Sequence, residues 1–355
     1  MARGGGPGQY GLLSEVAIEA GVSLSTVSKV VHRRRDVGES TRERVEALLQ
    51  ARGFVRSWEP DPDRPRQIVA VFRDLASPYT LEVTRGIVEA AERAGLQVVT
   101  GTTTSRSIAQ WFKQAVALEA VGMVIVISML SEEDQRHAVE QGLPVVLIDP
   151  LSVPSAPIPS VGVTNWNGAR EAVQHLIELG HRRIGMMAGR SHSLAGSGRL
   201  HGYRAALEEA GIGFDWALVR ATDFDYGEAL AASLDLLRRP EPPTAVFASS
   251  DAQAMGVLEA ARQCGLSVPD DLAVMSFDDT LVAAMACPPL SAVRQPFQGL
   301  GQEATRLLIE MAEGKPPSTL RIELATELVL RTSTAPPASQ GRSQAPAPGD
   351  SVGGG

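Results

Sequence analysis

Cysteine is scarce in this chain of 355 residues, which has two, and neither Cys264 nor Cys287 lies in a metal-ligand spacing. Long apolar runs are absent too, because no stretch approaches the roughly 18 consecutive apolar residues of a membrane span. The N-terminal MARGGGPGQYGLL lacks the apolar segment of a secretory leader. Neither an oxidising compartment nor a membrane is indicated, and we expect a cytoplasmic protein.

Signatures of catalysis are lacking as well. The histidines form no H-E-x-x-H spacing, and no G-x-S-x-G nucleophile elbow occurs. The stretch GSGRLHG follows an apolar run, but three residues rather than two separate its last glycines, unlike a dinucleotide fingerprint. Asp278 and Asp279 are adjacent, so on leaving a strand they point to opposite sides and make no catalytic pair. We expect no enzyme, no cofactor and no metal.

Charge is unevenly distributed along the chain. Residues 1–57 hold nine Lys or Arg and six Asp or Glu, a net charge of +3, whereas the whole chain carries −8, which leaves −11 for the rest. A basic head on an acidic body indicates that only the head meets a polyanion.

Apolar periodicity in this head predicts three helices. The first, LLSEVAIEAG, stops at Gly21, a natural C-cap residue, and the second runs from Leu24 to Val31. The third spans about Ser40 to Arg52, with Ser40 or Thr41 as its N-cap. The predicted inward positions are Leu13, Val16, Ala17, Ala20, Val27, Val30, Val31, Val45, Leu48 and Leu49.

The second helix leaves polar side chains on its outer face. Ser25, Thr26, Ser28 and Lys29 suit contacts to base edges and phosphates, and Arg33 to Arg35 follow where a DNA backbone would run. A tight turn between two short helices is typical of a helix-turn-helix unit, whose second helix enters the major groove. The alternative is an ordinary small helical bundle with a solvated charged face.

The stretch SEVAIEAGVSLSTVSKVV resembles the head of the lactose repressor/galactose repressor (LacI/GalR) family of bacterial transcription regulators. The resemblance covers residues 13 to about 54 and departs from the family pattern at Glu15, Lys29 and His32, which replace Asp, Arg and Asn. It implies a DNA-binding surface on the second helix and just after it. The residues assigned to that surface are Leu24, Ser25, Thr26, Ser28, Lys29, His32 and Arg33.

The linker RSWEPDPDRPRQ differs most from this family. Family members place here a hinge helix that docks in the minor groove. Pro60, Pro62 and Pro65 lack the N–H that a helix interior needs, and the neighbouring Glu and Asp side chains would repel phosphates. The hinge helix is therefore either absent or shortened to a turn.

From Gln67 onward, short apolar runs alternate with amphipathic segments. The runs are IVAVFRD, LQVVT, GMVIVIS, LPVVLID, RRIGMMA, TAVFASS and DLAVMSF. Alternating strands and helices predict parallel sheets covered on both faces, and these strands are more than one open sheet comfortably holds. We expect an α/β body of two doubly wound parallel-sheet lobes, with a ligand cleft at the strand C-termini.

The body also resembles the family, in blocks such as RLHGYRAALEEAGI and PPLSAVRQPFQGLGQEA. The resemblance implies a periplasmic-binding-protein-like effector domain that dimerises, closes on a small molecule such as a sugar, and acts through the head on operator DNA. Hydroxyl-rich ligands need charged or bidentate partners and an aromatic face. The effector residues assigned by this resemblance and by their places at strand ends and helix starts are Ser77, Tyr79, Asp149, Arg199, Phe224, Asp251, Asp278 and Gln295.

Two side chains have structural alternatives. Asp251 precedes AQAMGVLEAAR and suits a helix N-cap as well as a ligand contact. Trp166 suits a stacking platform or a half-buried packing role.

The sequence thus predicts a homodimeric transcription regulator, a repressor, controlled by a sugar or sugar derivative. The alternatives are a solute-binding protein or an enzyme of the same two-lobed fold; the basic head argues against the first. The predicted organisation is a disordered segment at 1–9, a helix-turn-helix domain at 10–57, a linker at 58–66, a two-lobed body at 67–334 and a disordered Pro/Gly-rich tail at 335–355.

Overall fold

The computed structural model describes residues 7–31, 37–52, 66–127, 129–140, 142–189 and 193–337. The helices are α1 Pro7–Ala20, α2 Leu24–Val31, α3 Glu39–Ala51, α4 Pro78–Arg93, α5 Ile108–Ala117, α6 Glu132–Glu140, α7 Asn165–Glu178, α8 Leu194–Glu209, α9 Tyr226–Leu237, α10 Asp251–Gln263, α11 Leu281–Met285 and α12 Phe297–Ala312. The strands are β1 Gln67–Phe72, β2 Gln97–Thr102, β3 Gly122–Val126, β4 Val145–Ile148, β5 Ser160–Val163, β6 Ile184–Ala188, β7 Val219–Ala221, β8 Ala245–Ala248, β9 Ala273–Asp278, β10 Ser291–Arg294, β11 Arg321–Leu324 and β12 Glu327–Val329. A 3₁₀ turn, Trp216–Leu218, precedes β7.

The head is the predicted three-helix unit. Val16, Val27 and Val45 are fully buried at its centre, where α1, α2 and α3 meet. Gly21 closes α1 with φ of +65°, a conformation that glycine adopts without strain, and lets α2 start three residues later. The predicted helix-turn-helix arrangement is therefore confirmed.

Two predicted boundaries in the head are wrong. α1 begins at Pro7, inside the segment expected to be disordered, because proline at a first helical position loses no hydrogen bond and fixes a helical φ. α3 begins at Glu39, so neither Ser40 nor Thr41 is its N-cap. The carbonyl of Gly38 instead accepts from the backbone N–H groups of Thr41 and Arg42.

The first lobe is a parallel sheet with strand order β11-β5-β4-β3-β1-β2. Its central strands are apolar on both faces, which is why they appear in the sequence as unbroken runs. α4 and α12 cover one face, around Val83 and Leu300, and α5 and α6 cover the other, around Phe112 and Ala138.

The second lobe repeats this plan with strand order β12-β10-β9-β8-β6-β7. α7 and α8 cover one face and α9 and α10 the other. The sheets are parallel as predicted except at β12, which runs antiparallel to β10. Only Ala325 and Thr326 separate β11 from β12, so the chain enters the second sheet from the end at which the first lobe's strand finishes.

The described chain passes between the lobes after β5, after β10 and after β11. Two of these passages are joined, because the Thr164 and Thr326 hydroxyls lie 3.0 Å apart and the Thr326 N–H donates to the Thr164 hydroxyl. Paired connections of this kind are where two-lobed proteins hinge, and we name Thr164 and Thr326 the hinge residues.

The C-terminal segment beyond β12 is fastened to the second lobe. Ser333 is fully buried, with its hydroxyl donating to the Val274 carbonyl. The His181 ring lies 2.9 Å from the Thr244 hydroxyl and 2.8 Å from the Ala335 carbonyl. Residues 335–337 therefore belong to the folded body, which corrects the predicted start of the tail by three residues.

Lowering the pH should weaken the attachment of the C-terminal segment to the second lobe. His181 is 1 % exposed, and burial lowers the pKa of its imidazole below the usual value. A base with a lowered folded pKa stabilises the protein fully above its unfolded pKa, and that stabilisation is lost as pH falls toward the folded pKa. We expect the thermal midpoint to fall between about pH 7.5 and about pH 5.5, in part through this group.

The measurement is differential scanning fluorimetry at both pH values on wild type and His181→Gln. The variant should lose less stability on acidification, whereas the exposed His201→Gln should behave as wild type. An equal acid-induced loss in wild type and His181→Gln would contradict the assignment.

Candidate functional site

The outer face of α2 carries the side chains predicted to contact DNA. Ser25 and Lys29 are exposed, and Thr26 and Ser28 are half-buried. Leu24, at the start of the helix, is 39 % exposed. The remaining two predicted residues, His32 and Arg33, lie outside the described residues.

The start of α2 is organised by a residue that sequence reasoning left in the turn. The Ser23 hydroxyl accepts a hydrogen bond from the Thr26 N–H at 3.1 Å and lies 2.8 Å from the Thr26 hydroxyl. It therefore fixes the first turn of the helix, where backbone N–H groups favour a phosphate. A serine directly before the apolar helix pattern was the available signal.

In the first lobe, Tyr79 and Asp149 meet at the ends of β1 and β4. The Tyr79 hydroxyl donates to Asp149 Oδ2 at 2.7 Å, and its ring packs edge-on against Phe297. Ser77 is half-buried at the N-cap position of α4, yet its side chain makes no capping bond. Its hydroxyl thus remains available beside the cleft.

In the second lobe, Arg199 is the central side chain. It projects from α8 and is 5 % exposed. Its Nε donates to Asn165 Oδ1 at 2.8 Å, and its Nη1 donates to the Ser249 carbonyl. Its guanidinium lies 3.8 Å from the centroid of the Phe277 ring, close enough for a cation–π contact.

Asp278 and Gln295 lie next to this guanidinium. Asp278 Oδ1 accepts from Gln295 Nε2 at 2.5 Å and lies 3.6 Å from Arg199 Nη1. The Gln295 side chain must direct its amide N–H toward the carboxylate. Its Oε1 is consequently left buried and without a hydrogen-bond partner among the described residues.

The charges of the two lobes act on one another. Burial raises the pKa of Asp149, while the Tyr79 hydroxyl and then Arg199 of the opposite lobe oppose that rise. Burial raises the pKa of Asp278 to about 7, against the attraction of Arg199. Tyr79 and Asp149 of the first lobe therefore feel the charges of Arg199 and Asp278 of the second, and we name these four residues and Gln295 the inter-lobe cluster.

The lobes also touch at the rim of the cleft. The Leu194 N–H donates to the Leu151 carbonyl at 3.2 Å. Arg73 Nη2 lies 4.0 Å from Asp223 Oδ2. Both contacts join a loop after a first-lobe strand to the second lobe, as expected for a cleft at strand C-termini.

Comparison with known proteins matches both parts of the chain. Residues 12–57 match the bacterial regulatory proteins, lacI family, and residues 173–334 match the periplasmic binding protein-like domain. The HTH-type transcriptional regulator CelR of Thermobifida fusca is 35 % identical over 331 residues, 90 % of this chain and 97 % of that protein. The chain belongs to the LacI family.

Other relatives agree. The HTH-type transcriptional repressor CytR of Escherichia coli K12 is 32 % identical over 91 % of this LacI-family chain and 96 % of its own length. Among solved structures, a CelR–cellobiose complex has a TM-score of 0.69 at 34 % identity, covering 90 % of this chain and 99 % of that one. The lac repressor dimer bound to operator has a TM-score of 0.68 at 27 % identity, covering 91 % and 98 %.

Asp251 is held by its own lobe in this LacI-family body. One carboxylate oxygen accepts from the Ser276 hydroxyl at 2.5 Å, and the other accepts from both the N–H and hydroxyl of Thr280 at 2.7 Å. The N-cap reading of Asp251 is wrong, because Ser250 caps α10 through the Gln253 N–H. Asp251, at the start of α10, instead holds Ser276 of β9 and Thr280 of the following loop, on either side of Asp278.

Two aromatic candidates occupy different places. Phe224 is half-buried, with its ring over Gly189, where a Cβ would lie 2.0 Å from the ring. Its centroid is 5.8 Å from the Arg199 guanidinium, so it borders the cluster. Trp166 is 41 % exposed, with the Arg170 guanidinium 6.0 Å from its ring centroid, so its stacking and packing roles both stay predictions.

Three of the predicted effector residues have strained backbone conformations. Asp149, Phe224 and Asp278 have φ values of 45°, 54° and 116°. Such conformations cost on the order of 1–3 kcal/mol each in residues other than glycine, and they concentrate at functional sites. These backbone conformations set the directions of the three side chains at the edge where the strands end.

Two sequence features weighed as signs of catalysis have other roles in the described residues. GSGRLHG lies within α8, so its glycines form no phosphate loop. Asp279 points away from Asp278 and pairs with Arg294 and Arg331, each at 2.7 Å. Within the described ranges there is no group of three or more metal-ligating side chains and no helix long and apolar enough to cross a membrane.

Sequence reasoning missed Asn165, Ser249 and Phe277. These three residues hold the Arg199 guanidinium through a side-chain carbonyl, a backbone carbonyl and a ring face. Asn165 follows hinge residue Thr164 and also donates to the Val163 carbonyl of the first lobe at 3.1 Å. The place of Asn165 at the start of a helix was the one signal available.

Proposed function

We propose that this protein is a transcription repressor that binds operator DNA as a homodimer in the cytoplasm and is released or retained by a small hydroxyl-rich effector. The observation that carries this proposal is the union, in one chain, of a helix-turn-helix head and a hinged cleft lined by charged side chains from both lobes. No catalytic step is part of the proposal, because relatives that match over nine-tenths of this chain are named as transcription regulators.

The effector is proposed to be a sugar or sugar derivative bound at the inter-lobe cluster. Carboxylates and a guanidinium suit vicinal hydroxyls, and Phe224 and Tyr79 offer ring surface. The relative CelR has been solved with cellobiose. Asp149, Arg199, Asp278 and Gln295 are the proposed direct contacts, with Ser77 at the cleft edge and Asp251 holding the Asp278 loop.

The proposed division of labour follows the chain. A head from Pro7 to residue 57 reads DNA through α2 and the residues after it, including His32 and Arg33. Residues 58–66 form the linker, and a body from Gln67 to residue 337 binds effector and partner subunit. Residues 338–355 form the tail. The effector acts by binding two lobe arrangements with different affinity, which shifts their populations.

The test combines DNA selection with ligand screening. Full-length protein would be used to select binding sites from random-sequence duplexes, and we expect palindromic sites with half-sites about one helical turn apart. A thermal-shift screen of sugars and nucleosides should then yield stabilising ligands, since a ligand at about 100 times its Kd adds roughly 2.7 kcal/mol. A stabilising ligand that leaves operator affinity unchanged would contradict effector control.

Effector affinity should depend on pH through Asp278. Its pKa of about 7 means that the carboxylate gains a proton, and loses acceptor capacity, on the acid side of neutrality. Affinity for a hydroxyl-donating sugar should rise between about pH 6 and about pH 8 as the carboxylate ionises. Isothermal titration calorimetry would measure this, and Asp278→Asn should flatten the profile; an unaltered slope in the variant would refute it.

The operator should be bent little. If the proline-rich linker replaces a docking hinge helix, no wedge enters the minor groove, and residues 58–66 act as a semi-rigid strut between head and body. Changing half-site spacing by one base pair should then weaken binding at least about tenfold, because it rotates one half-site by about a tenth of a turn. A circular-permutation gel-shift assay reports the bend, and a sharp central kink would refute the strut.

A further inference from the structure

The inter-lobe cluster holds more negative than positive charge. Asp149, Asp251 and Asp278 are its carboxylates, and Arg199 is the basic side chain in contact with it among the described residues. Glu323 adds a further negative charge felt by Asp149. Arg294 and Arg331 do not offset this excess at the cluster, because Asp279 pairs with both and Glu327 also pairs with Arg294, so the two positive charges face two negative ones.

The hydrogen-bonding groups that the cluster offers to a ligand include buried acceptors in need of donors. Two of the five N–H donors of Arg199 are engaged by the Asn165 and Ser249 carbonyls, and its Nη1 also lies 3.6 Å from Asp278 Oδ1. Gln295 Oε1 is an acceptor without a partner in the described structure, in a side chain that is 4 % exposed. Asp149 uses Oδ2 for Tyr79, which leaves Oδ1 to accept from a ligand. Buried acceptors of this kind need donors from the ligand.

We propose that the cleft rejects anionic ligands, so that the effector is an uncharged polyol and its phosphorylated or carboxylated form is not bound. The proposal rests on the proposed effector site and narrows its ligand class. A phosphate or carboxylate placed in the cluster brings acceptors to acceptors and like charges together at low dielectric. Hydroxyl groups of an uncharged ligand donate hydrogen bonds to these acceptors without adding a negative charge.

The test uses matched pairs of ligands on the full-length protein. The pairs are glucose with glucose 6-phosphate, ribose with ribose 5-phosphate, cellobiose with cellobionate, and adenosine with AMP, compared by calorimetry. In any pair whose uncharged member binds, the anionic member should bind at least about 100-fold more weakly. An anionic member that binds as tightly as its parent, or more tightly, overturns the proposal.

An isosteric variant separates charge from shape. Asp149→Asn combined with Asp278→Asn removes two negative charges and should narrow the gap between paired ligands by at least about tenfold. The exposed Asp235→Asn, on the outside of the second lobe, should leave the gap unchanged. A gap that survives the double variant shows that shape rather than charge excludes the anion, and overturns the proposal.

A measurement of thermal stability without ligand also tests the electrostatics of the cleft. Asp278 faces Asp251 and Arg199, and its pKa is raised to about 7. A carboxylate with a raised folded pKa contributes stability at low pH that is lost as pH rises through that value. Asp278→Asn lacks this pH-dependent loss. The thermal midpoint of the variant minus that of wild type should therefore be larger at about pH 8 than at about pH 5.

The opposite sign would show that Arg199 fully compensates the carboxylates, which overturns the charge argument. If no uncharged sugar or nucleoside binds, the proposed sugar effector fails; binding of any anionic member then overturns the rejection of anions, and the absence of binding by every anionic member supports it. The two failures are thus distinguishable.

Discussion

Arg199→Ala is expected to abolish the effector's influence on operator binding while leaving operator affinity without effector at the wild-type level. The guanidinium is the one basic group contacting the carboxylate cluster in the described chain, and each charged hydrogen bond to a ligand is worth about 1.5–3 kcal/mol. Loss of two such bonds weakens effector binding at least about 100-fold. Calorimetry with a ligand identified by the thermal-shift screen measures the affinity, and mobility shift measures the coupling.

A buried arginine needs controls for folding. Arg199→Met keeps much of the apolar stem while removing the guanidinium that lies over Phe277, and should show the same loss of binding with less damage to stability. Arg204→Ala, on the same helix, removes an exposed arginine paired with Glu208 and should bind effector as wild type does. Wild-type effector affinity in Arg199→Met would place the ligand elsewhere.

Long apolar strands were predictable from the sequence, and short polar ones were not. All seven predicted runs are strands; six of them are buried, and a strand buried on both faces of a parallel sheet must be apolar throughout, whereas β2 is a partly exposed edge strand. β10 reads SAVR and β11 reads RIEL, which resemble loop sequence. Their place is fixed by pairing with β9 and β5 and, for β10, by Ser291 bonds to residues some 40 positions away.

Some features of the candidate site were likewise predictable from the sequence, and others were not. Asp149 and Asp278 were predictable because carboxylates that follow apolar strands lie at the edge where strand C-termini meet. The Tyr79–Asp149 bond spans 70 positions, and no periodicity encodes it. The use of Asp251 by Thr280 was also hidden, since an aspartate beside a helix start has the same local sequence whether it caps, binds ligand or braces a loop.

The largest effect on DNA binding is expected from the head. Thr26 and Lys29 lie on the outer face of α2, while Val27 and Val30 hold the opposite face in the core. Thr26→Ala should weaken operator binding roughly 10- to 100-fold and relax sequence preference, as loss of a base-edge contact does. Lys29→Ala should weaken binding to all sequences and reduce the slope of log affinity against log salt by about 2, one phosphate for each head of a dimer.

Circular dichroism separates these losses from unfolding, because neither side chain belongs to the apolar core of the head. Arg52→Ala is the charge-matched control: it removes a cation that is paired with Glu19 on α1, and its salt slope should remain that of wild type. Mobility shift over a salt series on the selected operator gives all three slopes. Wild-type affinity in both α2 variants would show that α2 does not enter the groove, because a helix that reads DNA cannot lose its outward hydroxyl and cation without cost.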